Sequence, residues 1–318
     1  MLASPIRKCI ATERYLPTGL RFPPPTPVFL SSCPDFLIRL ARMRLPPDLV
    51  DPKQKRHPDS TALIPDGLQH PKFTARKSGT ALYVFCNKAA ISRLAERSAK
   101  HLAARKISVH ALLAEQVAHL LRVRVLQELE LLGDQMEHSV RQVQSDARIL
   151  RRLTREEWNA IRETGVIPYP SALAVLVVPP LQRDPVTKKR PEPSMSTSPI
   201  IEDNPATPVK PPLPMSTLHF QSVDHLGCDV LPQGQIPLYN CVPLYPLRPQ
   251  RAALFHLLTR LLAIEHKSHK AFNKSKSLQD TRASHAFLLS SDAETVQRGD
   301  AAAVAIALWR LRMFEGCA

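Results

Sequence analysis

Glycine is scarce in this chain: nine residues in 318, at 19, 67, 79, 133, 165, 227, 234, 299 and 316, never closer than seven positions apart. Loops that cradle phosphate need closely spaced glycines so that backbone N–H groups can approach the anion, and this spacing excludes a P-loop, a dinucleotide fingerprint and a kinase glycine loop. Neither a G-x-S-x-G elbow nor an H-E-x-x-H pair occurs. The six cysteines, at 9, 33, 86, 228, 241 and 317, form no CxxC pair, so they read as reduced thiols of an intracellular protein. No apolar run reaches about 18 residues, the length needed to span a bilayer. Carboxylates are few at the front: the first 110 residues hold 19 Lys and Arg against 7 Asp and Glu, which places 12 of the net 15 positive charges there. Such a field suits nucleic acid or an anionic surface.

Proline is the excess, 31 residues, about twice the usual share. It divides the chain. Residues 1–45 carry Arg7, Lys8, Arg14, Arg21, Arg39, Arg42 and Arg44 against Glu13 and Asp35, an arginine-rich, acid-poor composition that reads as a mitochondrial leader. Phe36, Leu37, Leu40 and Met43 fall near one side of a helix, and Met43 offers a start that would omit the leader. Residues 46–80 read as a proline-rich extended segment, in which Lys53, Lys55 and Arg56 give a weak nuclear-localisation pattern.

From 81 to 178 the chain reads as a helical region leading to a helix, turn and strand. Residues 81–86 suit a short strand. Ile91, Leu94, Ala95 and Leu102 share one helical face, opposite Arg93, Arg97 and Lys100. A second helix runs from near Ser108 to Gly133, the break at 105–108 permitting a helix-turn-helix, and a polar helix follows over 135–153. Then Thr154 and Glu157 have capping-box spacing, Gly165 supplies a left-handed stop, and 172–178 is an apolar run of strand length closed by Pro179 and Pro180.

Eleven prolines in residues 179–214 mark a disordered excursion, with PPLP at 211–214 as a polyproline ligand pattern. Asp184, beside Lys188, Lys189 and Arg190, reads as a turn. Residues 215–318 complete the same core. Pro249 opens a helix over 251–265, 266–277 is a basic loop, 286–289 is a short strand, and Ser291 and Glu294 repeat the capping-box spacing. Asp300 caps a last helix, apolar almost all round and therefore buried. The strands at 172–178 and 286–289 should be neighbours, burying Trp158, Trp309 and Phe314. The expected fold class is α+β or small α/β, helix-rich, with a minor sheet built on those two strands and long disordered proline-rich segments.

Candidate chemistry is thin. His219, His225, Cys228 and Cys241 approach zinc spacing without a CxxC anchor, so no metal or cofactor is assigned. Ser290, Ser291 and Asp292 follow a strand and, with His285, would make a nucleophilic site if one pocket gathered them. The expectation is a non-enzymatic mitochondrial protein that binds RNA or a ribonucleoprotein and supports organellar gene expression. Arg93, Arg97, Lys100, Arg105 and Lys106 are its phosphate contacts. Nucleus or cytoplasm is the alternative location. Two other readings are a protein–protein adaptor or assembly factor at a membrane periphery, using the amphipathic helices at 88–132 and 251–265, and an α/β enzyme.

Overall fold

The computed structural model describes residues 6–17, 36–44, 61–97, 107–139, 147–181, 183, 188–195, 214–221, 234–272 and 283–316. Of the described residues 42% are helix and 29% strand, and they build two curled mixed sheets, of four and six strands. This corrects the expected helix-rich fold with a minor sheet. The three strands read from sequence, at 81–86, 172–178 and 286–289, are among the most apolar and are all present. Their partners carry Arg, His, Gln and Pro, which local pattern does not mark as strand.

Two compact units divide the chain, one of residues 1–127 with 306–318, the other of 128–305. The first holds the four-stranded sheet, in the order β5 (Ala81–Phe85), β3 (Leu37–Arg44), β4 (Thr61–Asp66), β6 (Ile107–Ser108). β3 lies between two antiparallel partners, with Arg39 opposite both Asp66 and Tyr83. Ile38 and Leu40 point into the core beside Leu63 and Val84, and all four are buried. Residues 37–44 were expected as a helix. Leu, Ala, Met and Arg do favour one, but ladders on both edges satisfy the backbone and override that preference. A hairpin of β1 (Ile6–Lys8) and β2 (Tyr15–Pro17) abuts β5, where Ile10 N–H donates to Tyr83 O at 2.9 Å. Helix α1 (Lys88–Arg97) buries Ala90, Ile91 and Leu94 and leaves Arg93 exposed, as its periodicity requires.

The second unit holds the six-stranded sheet, in the order β7 (Leu150–Thr154), β12 (Ala283–Ser290), β9 (Ala172–Val177), β11 (Gln235–Asn240), β10 (Ser216–Gln221), β8 (Val166–Ile167). The expected adjacency is present: β9 and β12 pair antiparallel, with Val175 opposite Leu288. Leu153, Val175, Ile236, Ala286 and Leu288 form one apolar face, against which Ile161 and Trp158 of α3 (Arg155–Thr164) pack. Residues of opposite parity, Leu176, Tyr239, Phe287 and Leu289, are equally buried, so both faces are covered. The capping box of α3 is complete, with Glu157 N–H donating to Thr154 Oγ1 at 3.2 Å and Thr154 N–H donating to Glu157 Oε2 at 2.8 Å. Gly165 ends the helix with φ 68°.

Several boundaries move. Helix α2 (Leu113–Ser139) passes through Gly133, and 150–154 is strand rather than the end of a polar helix. Gly133 faces Arg260 of α5 (Arg248–Phe272), whose Nη1 a Cβ there would meet at 3.4 Å, an ordinary contact. That arginine bridges α2 and α5 by ion pairs to Asp134 at 3.0 Å and Glu137 at 2.9 Å. α5 also continues into the expected basic loop. The short helix before the C-terminus, α6 (Thr295–Arg298), follows α4 (Cys241–Leu244) and α5 in order. It is capped by Asp292, not Ser291: Asp292 Oδ1 accepts from Glu294 N–H at 3.0 Å and Thr295 N–H at 2.8 Å.

In α7 (Ala302–Glu315) the expected polarity is partly inverted. Trp309 is 37% exposed whereas Arg310 and Arg312 are buried, and the Arg312 guanidinium lies 4.7 Å from the Trp309 ring centroid. Trp158 is only partly buried, and Phe314 is fully buried. Within 179–214, residues 188–195 are described and reach α5: Ser194 N–H donates to Pro249 O at 3.2 Å and Gln250 Nε2 to Met195 O at 3.3 Å. The KQKRHP segment and most of the proline-rich excursion lie outside the described residues.

Candidate nucleic-acid interface

In the four-stranded sheet β3 lies between β4 and β5, so the chain leaving β4 must cross β3 to begin β5. Residues 67–80 make that crossing, and every residue from 71 to 80, PKFTARKSGT, is exposed. Gly67 starts it at φ 66°, a left-handed turn that glycine adopts without penalty.

The crossing is pinned along its length. His70 N–H donates to Gln127 Oε1 at 2.9 Å, and Thr74 Oγ1 donates to Gln69 Oε1 at 2.6 Å. Phe73 N–H and Thr74 N–H both donate to His70 O, at 2.9 and 3.1 Å, closing a turn with Pro71 at its second position. Further along, Lys77 N–H donates to Asp66 Oδ1 at 3.0 Å and Arg39 Nη2 to Gly79 O at 3.3 Å. Asp66 is itself buried and ion-paired with Arg39. The Lys77 ammonium reaches Met43 Sδ at 3.6 Å, so the crossing lies on the face of β3 that carries Arg39 and Met43. A Cβ at Gly67 would stand 2.7 Å from Arg76 Nε, which shows how closely the start and the middle of the crossing pack.

The result is a fixed backbone that presents Lys72, Phe73, Arg76 and Lys77 to solvent. Arg42 and Arg44 extend the positive charge along the exposed end of β3, and Arg7, Lys8 and Arg14 carry it onto the β1–β2 hairpin. The Arg7 guanidinium lies 5.8 Å from the Tyr83 ring centroid. Among the described residues from 6 to 94 the carboxylates are Glu13, ion-paired with Lys8 at 3.3 Å, and the buried Asp66.

Of the residues assigned to phosphate contact from sequence, Arg93 is exposed on α1, Arg97 belongs to the same helix, and Lys100, Arg105 and Lys106 lie outside the described residues. The crossing was missed, although an aromatic among three cations in ten residues is a readable signal for nucleic-acid contact. What sequence did not reveal is the anchoring, which depends on partners as distant as Gln127.

The other candidates do not assemble. His285 is exposed on β12 and Ser291 lies beyond that strand's end, six residues and so roughly 20 Å along an extended backbone. Asp292 is committed to capping. His219 has both ring nitrogens engaged, Nδ1 with Gly165 O at 3.2 Å and Nε2 with Thr217 Oγ1 at 2.8 Å. Cys241 is fully buried, and burial pushes its thiol far above the usual range, away from the thiolate a metal would need. His225 and Cys228 lie outside the described residues, and no group of three or more metal-ligating side chains occurs among the described ones. The apolar stripe of α5, with Leu254, Leu257, Leu258, Leu261 and Ile264, is buried, as are Leu113, Val117, Leu121 and Val125 of α2. No helix among the described residues is long and apolar enough to cross a membrane.

One polar cluster in the second unit has a structural purpose. Arg151 Nη1 donates to Glu157 Oε1 at 2.9 Å, Tyr169 O–H donates to the same oxygen at 2.9 Å, and the guanidinium lies 4.4 Å from the Tyr169 ring centroid. Burial pulls the Glu157 carboxyl upward. Hydrogen bonds from the Thr154 amide, Arg151 and Tyr169 outweigh it and hold the group below the usual carboxylate range. The cluster secures the start of α3. No protein family, curated protein or solved structure matches this chain.

Proposed function

We propose that this chain is a non-enzymatic protein that binds RNA, alone or in a ribonucleoprotein, through the basic crossing between β4 and β5, in support of mitochondrial gene expression. The observation that carries the reading is the charge imbalance at a pinned surface. Lys72, Arg76 and Lys77 are exposed on a backbone pinned by hydrogen bonds, and of the two described carboxylates up to residue 94, Glu13 pairs with Lys8 and Asp66 with Arg39 and the Lys77 amide. Cations held in this way release condensed counterions from a nucleic acid, which makes binding tight at low salt and steeply salt-dependent. The mitochondrial setting rests on the arginine-rich, acid-poor composition of residues 1–45, of which 37–44 form the strand β3 and stay with the folded unit.

The test is a fluorescence-anisotropy titration of a labelled 20-nucleotide RNA against the full chain at several salt concentrations. Binding should weaken linearly in log[salt]. The triple variant K72A/R76A/K77A should lower that slope by about 2, since each lost phosphate contact removes about 0.7 for a single strand. Absence of binding in low-salt buffer, or a triple variant with unchanged affinity and slope, overturns the reading. Imaging of the chain tagged at its C-terminus tests the location separately.

A further inference from the structure

We propose that the nucleic acid held at the crossing is single-stranded, with one base stacked on the exposed ring of Phe73 and Lys72, Arg76 and Lys77 on the flanking phosphates. This deepens the RNA reading above and rests on it. A surface that only tracked a duplex backbone would need cations alone, because paired bases are stacked on one another and offer no face to the protein. Here the cations flank an aromatic ring that is 42% exposed.

The ring is held out by construction. The turn that closes with Phe73 N–H and Thr74 N–H on His70 O is tied to Gln69 through the Thr74 hydroxyl and to Gln127 through the His70 amide. These bonds fix the backbone at Phe73, and the ring it carries is exposed. His70 packs against the ring in a T-shaped arrangement, with centroids 6.3 Å apart and planes 79° apart. An exposed phenyl ring with three cationic residues within four positions of it in the chain suits a stacking platform of the kind that accepts any base.

The experiment compares the full chain with its Phe73→Ala and Phe73→Tyr variants. The probes are a 12-nucleotide oligouridylate and a 12-base-pair RNA duplex, at the same low salt. Expected for the single strand is a loss of about 5- to 150-fold with F73A, near-native affinity with F73Y, and an unchanged salt slope. The duplex should bind more weakly than the single strand and be indifferent to both variants. Equal loss with F73A and F73Y, or equal affinity of wild type and F73A for the oligouridylate, refutes the stacking proposal while leaving the phosphate reading standing. Failure of the wild-type chain to bind either probe refutes both.

Discussion

Removing the Glu265 carboxylate should be among the most damaging single changes in the second unit. Arg298 and Glu265 side chains are 1% and 4% exposed and meet at 2.7 Å. Arg298 also donates to Ala147 O at 2.6 Å, and Glu265 accepts the Ile149 amide at 2.9 Å. The pair thus ties α5 and α6 to the chain entering β7. Glu265→Ala leaves a buried guanidinium without its counterion and the Ile149 N–H without this acceptor. Breaking a buried pair costs about 3–5 kcal/mol, a large fraction of the roughly 5–15 kcal/mol that holds a domain folded. With a urea m-value of about 2–3 kcal/mol/M the midpoint should fall by about 1–2.5 M. Trp158 and Trp309 lie in different units, so the measurement is made by Trp158 fluorescence in a Trp309→Phe background. The double variant Glu265→Leu/Arg298→Met removes both charges and should be more stable than Glu265→Ala alone. A loss under about 1 kcal/mol for Glu265→Ala, or a double variant less stable than the single, would refute the account.

Three further outcomes follow from the same geometry. Thr154→Ala removes the cap of α3 and should cost about 0.5–2 kcal/mol, read from urea unfolding of the same unit. Because the folded Glu157 carboxyl lies below its unfolded value of about 4.3, its contribution is present above that pH and lost as pH falls through the folded value. Glu157→Gln should therefore show a shallower decline in stability from pH 5 toward pH 3. Gly67→Ala places a side chain at φ 66° and against Arg76, and should cost at least about 1–2 kcal/mol in the first unit, measured by thermal unfolding at Trp309. A chain started at Met43 loses Leu37, Ile38, Leu40 and Ala41, all buried on the strand between β4 and β5. It should fail to give a cooperative unfolding transition for that unit.

Local chemistry determined what lies within a few residues of itself. The capping box at Thr154 and Glu157, the left-handed stop at Gly165, the apolar strands at 172–178 and 286–289 and the amphipathic face of α1 were all legible, because each is set by neighbours in the chain. Tertiary structure decided the rest. Residues 37–44 have helical composition and become a strand because ladders on both sides take up their backbone groups. Arg298 is inside because Glu265 and Ala147 await it, and Trp309 is left partly outside. The basic crossing shows both sources: its charges and its one aromatic stand in plain sequence, but whether they form a rigid surface was settled by Asp66, Arg39 and Gln127. Hydrogen bonds across such separations in the chain leave no local pattern to read.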